Sequence, residues 1–357
     1  MNSDISGDTL TPAVLPARTR PATSMAALSK TSSTPGDVQV RPRPVPHPGN
    51  GELLVQTLAC GLCGSDVHAW RQDTGYEWVK APVTLGHEAV GRVVACGPSV
   101  SEEWIGRLVV PIAIDGCGDC TLCTGGDRQL CRSRSVLGLS FDGCASEYFS
   151  IPVHRAIPTD STLPAATLAL TEPLSVAFHA VKRLEAAVDT CFTIVVSGPG
   201  PIGLMGALLL SDHGYRVLLM GAPRDEDQRL PLARSLGLDT VLAGETLPAD
   251  VGGWLEASGA PPALETAIST VRPSGAIVVA GLFPAVPAVD VNILARNEIR
   301  LLGSYGSVAH DYRAALSVLE SAPERWKSLV TTVPLSDGTR ALRTAAEAGA
   351  VKVVLIP

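Results

Sequence analysis

The sequence is poor in aromatic residues and in long uncharged apolar runs. Phe, Trp and Tyr together make up 4% of the 357 residues, so the core must be built mainly from aliphatic side chains. No apolar stretch without charges reaches the ~20 residues that span a bilayer, which predicts no membrane partner. Lys and Arg form no dense run and the formal net charge is −7, so nucleic acid is not an expected partner either.

The first 24 residues also lack the apolar core of a signal peptide and any hydrophobic periodicity. They are rich in Ser, Thr and Pro, and we predict a disordered tail over residues 1–24. The segment that starts at Met25 resembles a folded N-terminus, which makes Met25 a candidate natural start. These features predict a cytoplasmic protein.

Cysteine, in contrast, is informative. The nine cysteines are an odd number in a chain without a secretion signal, which favours metal ligation or free thiols over disulfides. Four of them follow the spacing C-x2-C-x2-C-x7-C, at Cys117, Cys120, Cys123 and Cys131. Four thiolates complete a tetrahedral zinc shell with no open position. We therefore predict a structural zinc, with an iron–sulfur cluster or four unpaired thiols as the alternatives.

Two kinds of pattern divide the chain into an α/β protein of two domains. Residues 25–110 contain short apolar or alternating runs separated by Gly and Pro, which is typical of irregular β structure. From about Leu168 strands and helices alternate, which indicates a doubly wound parallel sheet. We expect the final ~50 residues to return to the first domain. The predicted domains are 25–175 together with 300–357, and 176–299.

A glycine-rich loop lies at the start of the second domain. After the strand FTIVV the sequence places Gly198, Gly200 and Gly203 in a G-x-G-x-x-G pattern, with Pro201 and Ile202 opening an apolar helix. These glycines allow a tight turn, close approach of the backbone to a pyrophosphate and close helix packing. The strand before the loop and the helix after it make a dinucleotide site the expected function.

The next strand, RVLLM, bears on the choice of dinucleotide. In NAD sites such a strand ends in an acidic residue that binds the ribose 2′-hydroxyl, but here Gly221 follows. Loss of the carboxylate removes repulsion against a 2′-phosphate, and Arg224 and Arg229 could pair with one. The acidic residues 225–227 lie close by, and the two arginines could equally be solvated charges. We predict NADP in preference to NAD.

Several separated residues are candidates for a second metal site. Cys63, His87 and Glu88 supply a thiolate, an imidazole and a carboxylate, and Glu172 adds a carboxylate at a predicted helix start. Each is weak evidence alone, since a single His or Cys is more often structural.

The combination of motifs resembles the zinc-containing medium-chain dehydrogenases. The segments CGLCGSDVH, GHEAVGRVVACG, FDGCASEYF, TEPLSVAFHAV and GPGPIG, together with the four-cysteine segment, cover nearly all of the chain from Met25 onward. The polyol, butanediol and threonine dehydrogenase branch is the most similar. The resemblance implies an irregular β-rich GroES-like catalytic domain, a Rossmann coenzyme domain and a homodimer or homotetramer.

The same resemblance assigns a catalytic zinc to Cys63 and His87, with Glu88 and Glu172 as the carboxylate positions. A zinc ion with a Cys thiolate and a neutral His carries about +1, and each added carboxylate lowers this by one. Because a less positive centre polarises an alcohol less, we expect the two carboxylates not to be bound firmly together. The sequence does not decide which of the two carboxylates gives up its place on the zinc to water or substrate.

The resemblance also implies the reaction. Ser65 occupies the position whose hydroxyl takes the substrate proton, and His68 either relays that proton or serves packing. We predict hydride transfer between NADP or NAD and a small secondary alcohol, namely a polyol, cyclitol, sugar or amino alcohol. The alternatives are a catalytically idle structural member of the family and a zinc-ribbon-like nucleic-acid module, which the acidic balance disfavours.

Overall fold

The computed structural model describes residues 23–347 and 350–357. Most of the predicted tail, residues 1–22, lies outside the described residues, whereas its last residue, Ser24, begins the first strand. No helix of the described part is long and apolar enough to cross a membrane.

The N-terminal part is the predicted irregular β structure. Its strands are β1 Ser24–Lys30, β2 Val38–Pro44, β3 Glu52–Gly61, β4 Val83–Thr84, β5 Glu88–Cys96, β6 Leu108–Pro111, β7 Ile114–Asp115, β8 Ser135–Val136, β9 Tyr148–Pro152 and β10 Ala156–Thr159. Its helices are α1 Gly64–Arg71, α2 Thr121–Thr124 and α3 Ala165–Leu168. The core between these strands is mainly aliphatic, as the shortage of aromatics requires.

Strand β3 lies at the centre of this part and pairs antiparallel with β5, β9 and the last strand of the chain. In the β3–β5 ladder, Gly61 lies opposite Glu88. The end of β3 and the start of β5 therefore meet, although Cys63 and His87 are far apart in sequence. This register brings the dispersed candidate residues together.

The second part is the predicted doubly wound fold. Its strands are β11 Thr193–Ser197, β12 Arg216–Gly221, β13 Asp239–Leu242, β14 Val251–Glu256, β15 Ala276–Val279 and β16 Arg300–Gly303. Its helices are α4 Thr171–Glu185, α5 Pro201–Asp212, α6 Arg229–Ser235, α7 Pro261–Thr270, α8 Val291–Arg296 and α9 Ala309–Ser321. All neighbouring strands are parallel, in the order β13-β12-β11-β14-β15-β16. The central strands read as continuous apolar runs because helices cover both faces.

The predicted domain boundary at residue 300 is wrong. Strand β16, Arg300–Gly303, pairs with β15 and closes the parallel sheet, since its apolar residues Leu301 and Leu302 continue that sheet. Helix α9 also packs on α4, and the Asp311 carboxylate joins them by accepting from His179 Nδ1 at 2.9 Å and Lys182 Nζ at 2.6 Å.

The end of the chain returns to the first domain, as predicted. It forms α10 Pro323–Lys327, β17 Val330–Pro334, α11 Gly338–Ala346 and β18 Lys352–Ile356. Strand β18 pairs antiparallel with the end of β3, next to the point where β3 and β5 meet.

Candidate active site

Three of the four predicted ligands of the catalytic zinc meet at the end of β3. Cys63 Sγ, a ring nitrogen of His87 and a carboxylate oxygen of Glu88 all lie within 4.8 Å of one another. His87 and Glu88 are buried, and Cys63 is half-buried at the start of α1. A thiolate, an imidazole and a carboxylate at this spacing fit the three protein ligands of a zinc with an open fourth position.

Glu172, the fourth predicted ligand, lies beside this group but outside that mutual distance. It occupies the second position of α4, where its side chain is buried. Burial raises the pKa of the Glu172 carboxyl to about 8, while His87 and Glu88 act on it as neighbouring charges. Glu172 is therefore a buried neighbour of the three-ligand group and not one of its three members.

A buried lysine that the sequence analysis did not single out completes these surroundings. Lys352 Nζ lies 2.7 and 2.6 Å from the two carboxylate oxygens of Glu88 and donates to Leu62 O at 3.1 Å. Both side chains are about 2% exposed or less. Burial, the largest single cause, lowers the pKa of Lys352, but Glu88, Cys63 and Glu172 together outweigh it and the pKa is raised. The signal in the sequence was a lone Lys in the apolar strand VKVVLI, since lysine is almost never buried unless paired.

Asp66 fixes the backbone that carries the ligands. Its fully buried carboxylate accepts from Cys63 N at 2.9 Å and Gly86 N at 3.1 Å, and lies 3.8 Å from His87 Nδ1. Gly86 has φ 91°, and a Cβ there would lie 2.7 Å from Cys60 Sγ. Only glycine fits this turn, so Asp66 and Gly86 together set the position of His87.

The two predicted catalytic residues lie on α1. Ser65 Oγ is 3.4 Å from His87 Nε2, and its hydroxyl also hydrogen-bonds to Cys63, so it borders the three-ligand group. His68 Nδ1 lies 2.7 Å from Asp73 Oδ2, and both side chains are about one-third exposed. Asp73 was not predicted. The pair gives His68 a polar partner at the solvent boundary.

The four-cysteine segment forms the predicted cluster. The distances between its sulfur atoms include 3.9 Å for Cys117–Cys123, 3.8 Å for Cys120–Cys131 and 3.6 Å for Cys117–Cys131. Four sulfurs at 2.3 Å from one zinc are about 3.8 Å apart in a tetrahedron, so the cluster fits this ion. The backbone N–H groups of Cys117 and Ser133 donate to Cys131 Sγ and lower the pKa of this thiol to about 7.

The glycine-rich loop lies between β11 and α5, as predicted. Gly198 has φ 93° and donates to Met220 O at 2.9 Å. Pro201 is the first residue of α5 and Ile202 the second. A Cβ on Gly203 would overlap Gly198 O, whereas one on Gly200 would meet no atom within 4 Å. Gly203 is thus needed for packing, and the space at Gly200 is open to a ligand.

The residues predicted to select the dinucleotide follow β12. Gly221 ends the strand, and a Cβ there would lie 2.9 Å from Leu230 Cδ1. Arg224 is exposed. Arg229 is half-buried, with Nη1 3.7 Å from Asp225 Oδ1 and Nη2 donating to Ala350 O at 3.2 Å. Arg224 is therefore the more accessible of the two arginines.

The acidic residues beside these arginines face elsewhere. Asp225 is 4% exposed, and its Oδ2 accepts from Ala222 N at 2.9 Å. Glu226 pairs through both oxygens with Arg234 at 2.7 Å. Two of the three acidic side chains that complicated the sequence prediction are thus engaged within the protein.

Comparison with known proteins decides the family. Residues 49–161 match the alcohol dehydrogenase GroES-like domain, and residues 165–356 match the glucose dehydrogenase C-terminus. A sorbitol dehydrogenase of Halalkalibacterium halodurans is 33% identical over 350 residues, which cover 93% of this chain and 99% of that protein. The chain belongs to the zinc-containing medium-chain dehydrogenases.

Further relatives of this dehydrogenase agree with that assignment. An L-threonine 3-dehydrogenase of Proteus mirabilis is 31% identical over 299 residues, which cover 79% of this chain and 84% of the relative. The crystal structure of a zinc-binding dehydrogenase from Sinorhizobium meliloti, bound to NADP, has a TM-score of 0.83 and 28% identity and covers 94% of this chain and 100% of that one. The dehydrogenase is therefore an oxidoreductase that acts on CH–OH groups with NAD(P).

Proposed function

We propose that the cleft beside Cys63, His87 and Glu88 interconverts a small polyol-like secondary alcohol and its ketone, with NADP preferred over NAD. The convergence of these three ligand atoms within 4.8 Å carries the proposal. The dehydrogenases of sorbitol and L-threonine among the relatives support a substrate with several polar groups. The intact ligand set disfavours an idle structural role.

The residues present fit one zinc at this group and a second at the four-cysteine cluster. When bound in the cleft, zinc supplies a Lewis acid that lowers the pKa of an alcohol, and the nicotinamide accepts the hydride. Lys352 adjusts the local charge, because it offsets the negative charge of Glu88. Zinc, the Cys63 thiolate, Glu88 and Lys352 sum to about +1 rather than about 0.

Ser65 and His68 would move the proton. Ser65 Oγ borders the ligand group and is the hydroxyl we assign to accept the proton of the substrate. His68, with Nδ1 on Asp73, lies on the same helix toward solvent, and we assign it as the next acceptor.

The preference for NADP rests on the end of β12. Gly221 stands where an acidic residue would bind a ribose hydroxyl, so that carboxylate is missing. A side chain at this position would also require Leu230 to shift. Arg224 is exposed and lies close enough to Arg229 to lower the pKa of that guanidinium, although burial is the larger cause. Two neighbouring guanidinium groups favour a 2′-phosphate over a hydroxyl.

We also propose a homo-oligomer in the cytoplasm. Strand β16 is an edge of the parallel sheet, and open edges readily pair with another chain. Large apolar side chains are exposed on or before this strand, at Leu282, Val286, Val291 and Leu301. Such a patch is typical of a protein interface.

The test measures kcat/KM for both dinucleotides with a panel of polyols, amino alcohols and their ketones. We expect turnover with a preference for NADP, and Arg224→Gln should lower kcat/KM for NADP about 10–100-fold, the value of a charge-assisted contact. Arg234→Gln, whose partner is Glu226, is the matched control and should leave the ratio unchanged. A wild-type preference for NAD would overturn the cofactor assignment.

A further inference from the structure

An arginine of the four-cysteine segment faces the other domain. Arg134 follows the last ligand of the cluster and is exposed. Its Nη1 donates to Cys131 O at 3.3 Å, and its guanidinium carbon lies 5.1 Å from the centroid of the Tyr305 ring. Among the described residues it has no carboxylate partner. Arg134 is therefore a positioned cation with free hydrogen-bonding capacity.

Tyr305 lies on the cleft side of the coenzyme domain. It follows the carboxyl end of β16, the edge at which parallel sheets bind ligands. Two residues later, Ser307 Oγ lies 2.7 Å from Ser175 Oγ, and Ser175 Oγ donates to Glu172 O at 2.6 Å. The loop after β16 is thus joined to the first turn of α4, next to the metal ligands.

The opposite wall of the cleft connects to the same tyrosine. The Tyr76 ring stacks on His68 with centroids 5.0 Å apart. Burial raises the pKa of the Tyr76 hydroxyl, and Cys63 and then Tyr305 raise it further. Tyr76 therefore lies near both Cys63 and Tyr305, and Tyr305 in turn contacts Arg134.

We propose that Arg134 recognises a carboxylate at the end of the substrate remote from the reacting carbon. The substrate is then an open-chain sugar acid rather than a neutral polyol. A guanidinium holds a carboxylate by two parallel hydrogen bonds, and Arg134 is fixed in place by Cys131 O and the Tyr305 ring. We expect the acid to be long enough for its hydroxyl to reach the metal site while its carboxylate reaches Arg134. This inference rests on the proposed alcohol dehydrogenase function.

The test compares D-gluconate, L-idonate, sorbitol and sorbitol 6-phosphate with the zinc-loaded enzyme and NADP. We expect kcat/KM to be higher for at least one sugar acid than for sorbitol. Arg134→Gln should lower kcat/KM for that acid about 10–50-fold through KM, with sorbitol changed less than twofold. Arg134→Lys should restore part of the loss, and added salt should weaken the wild type more than Arg134→Gln.

Arg132→Gln is the matched control, because Arg132 is exposed in the same segment. It should leave the ratio of sugar acid to sorbitol unchanged. Preference for sorbitol 6-phosphate over both sugar acids would overturn the inference of a carboxylate and assign a phosphate to this arginine. An equal loss for sorbitol and sugar acids in Arg134→Gln, with a lower Tm, would assign Arg134 a structural role and overturn the inference.

Calorimetric binding of both sugar acids to the zinc-loaded enzyme gives a second measurement that is independent of turnover. A Kd that rises about 10-fold or more in Arg134→Gln supports the inference, and absent or equal binding overturns it. Turnover of sorbitol without any response to sugar acids would overturn the inference alone. Failure of every alcohol in the wider panel would overturn the proposed function itself.

Discussion

The ligands of the cysteine cluster all lie between residues 117 and 131, whereas the active-site group draws on residues 63, 87 and 88 and on Lys352. The first cluster is formed by one local turn-rich segment. The second exists only because β3, β5 and β18 pair in one register. A candidate metal site can thus depend on local sequence or on the fold as a whole, and this protein contains one group of ligand-type side chains of each kind.

The two sites also differ in the charges around them. In the active site the metal ligands lie beside the buried Glu172, the buried Lys352 and the fully buried Asp66. The cysteine cluster lies nearer the surface, with Cys117 exposed and Cys120 half-buried. Loss of one side chain should therefore have effects of different kinds at the two sites.

The largest expected effect is a loss of activity when a ligand of the active-site group is replaced, compared with a loss of stability when a ligand of the cysteine cluster is replaced. Cys63→Ser should lower kcat by about 10³-fold or more, because the Lewis acid is lost, and should remove about one zinc per chain. Cys123→Ser is the matched variant, since it makes the same substitution at a thiol of the four-cysteine cluster. It should remove the other zinc and lower Tm while most of the activity per folded molecule remains. Zinc content by mass spectrometry and initial rates measure both.

The comparison would fail if the two variants lost activity equally while both stayed folded. It would also fail if Cys63→Ser kept two zinc ions and a normal kcat.

A second effect tests the buried pair of the active site. Lys352→Met leaves the Glu88 carboxylate buried and unpaired, which should destabilise the fold by about 3–5 kcal/mol. The double variant Glu88→Gln/Lys352→Met removes both charges and should recover most of this loss. Urea unfolding after removal of zinc by a chelator gives the three free energies. Equal stability of the single and double variants would contradict the pairing.

The smallest effect concerns Asp115, whose hydrogen bonds hold the cysteine segment in place. Asp115 accepts from Arg128 Nε at 2.5 Å and His154 Nε2 at 2.7 Å. Burial raises the pKa of Asp115, but Arg128 and then His154 outweigh it and hold the pKa below its usual range. The stabilisation is therefore present above the unfolded pKa of about 4 and is lost as the pH falls through the folded value.

Asp115→Asn should consequently cost about 1 kcal/mol at pH 7, since both partners are partly exposed, and less at pH 3, where part of the contribution of the carboxylate is lost. Unfolding free energies at the two pH values measure this difference. An equal cost at both pH values would show that packing rather than charge is lost.

What the sequence could predict follows the same division. The cysteine cluster and the glycine loop are local, and their spacing alone predicted Cys117 to Cys131 and Gly198 to Gly203 as sites. Cys63, His87 and Glu88 needed the resemblance, because no spacing rule says that β3 and β5 meet at Gly61. Lys352 was missed since its partner Glu88 lies 264 residues away, and the boundary at residue 300 failed because no local signal says which sheet β16 joins.

Lys352 is synthesised 264 residues after Glu88. At about 5–20 residues per second, translation covers this interval in roughly 15–50 s. From residue 131 onward the nascent chain contains Cys63, His87, Glu88 and the four cysteines, but it still lacks the cation that pairs with Glu88. The four-cysteine segment is therefore complete early in synthesis, whereas the active-site group gains its cation only once the last strand has been added.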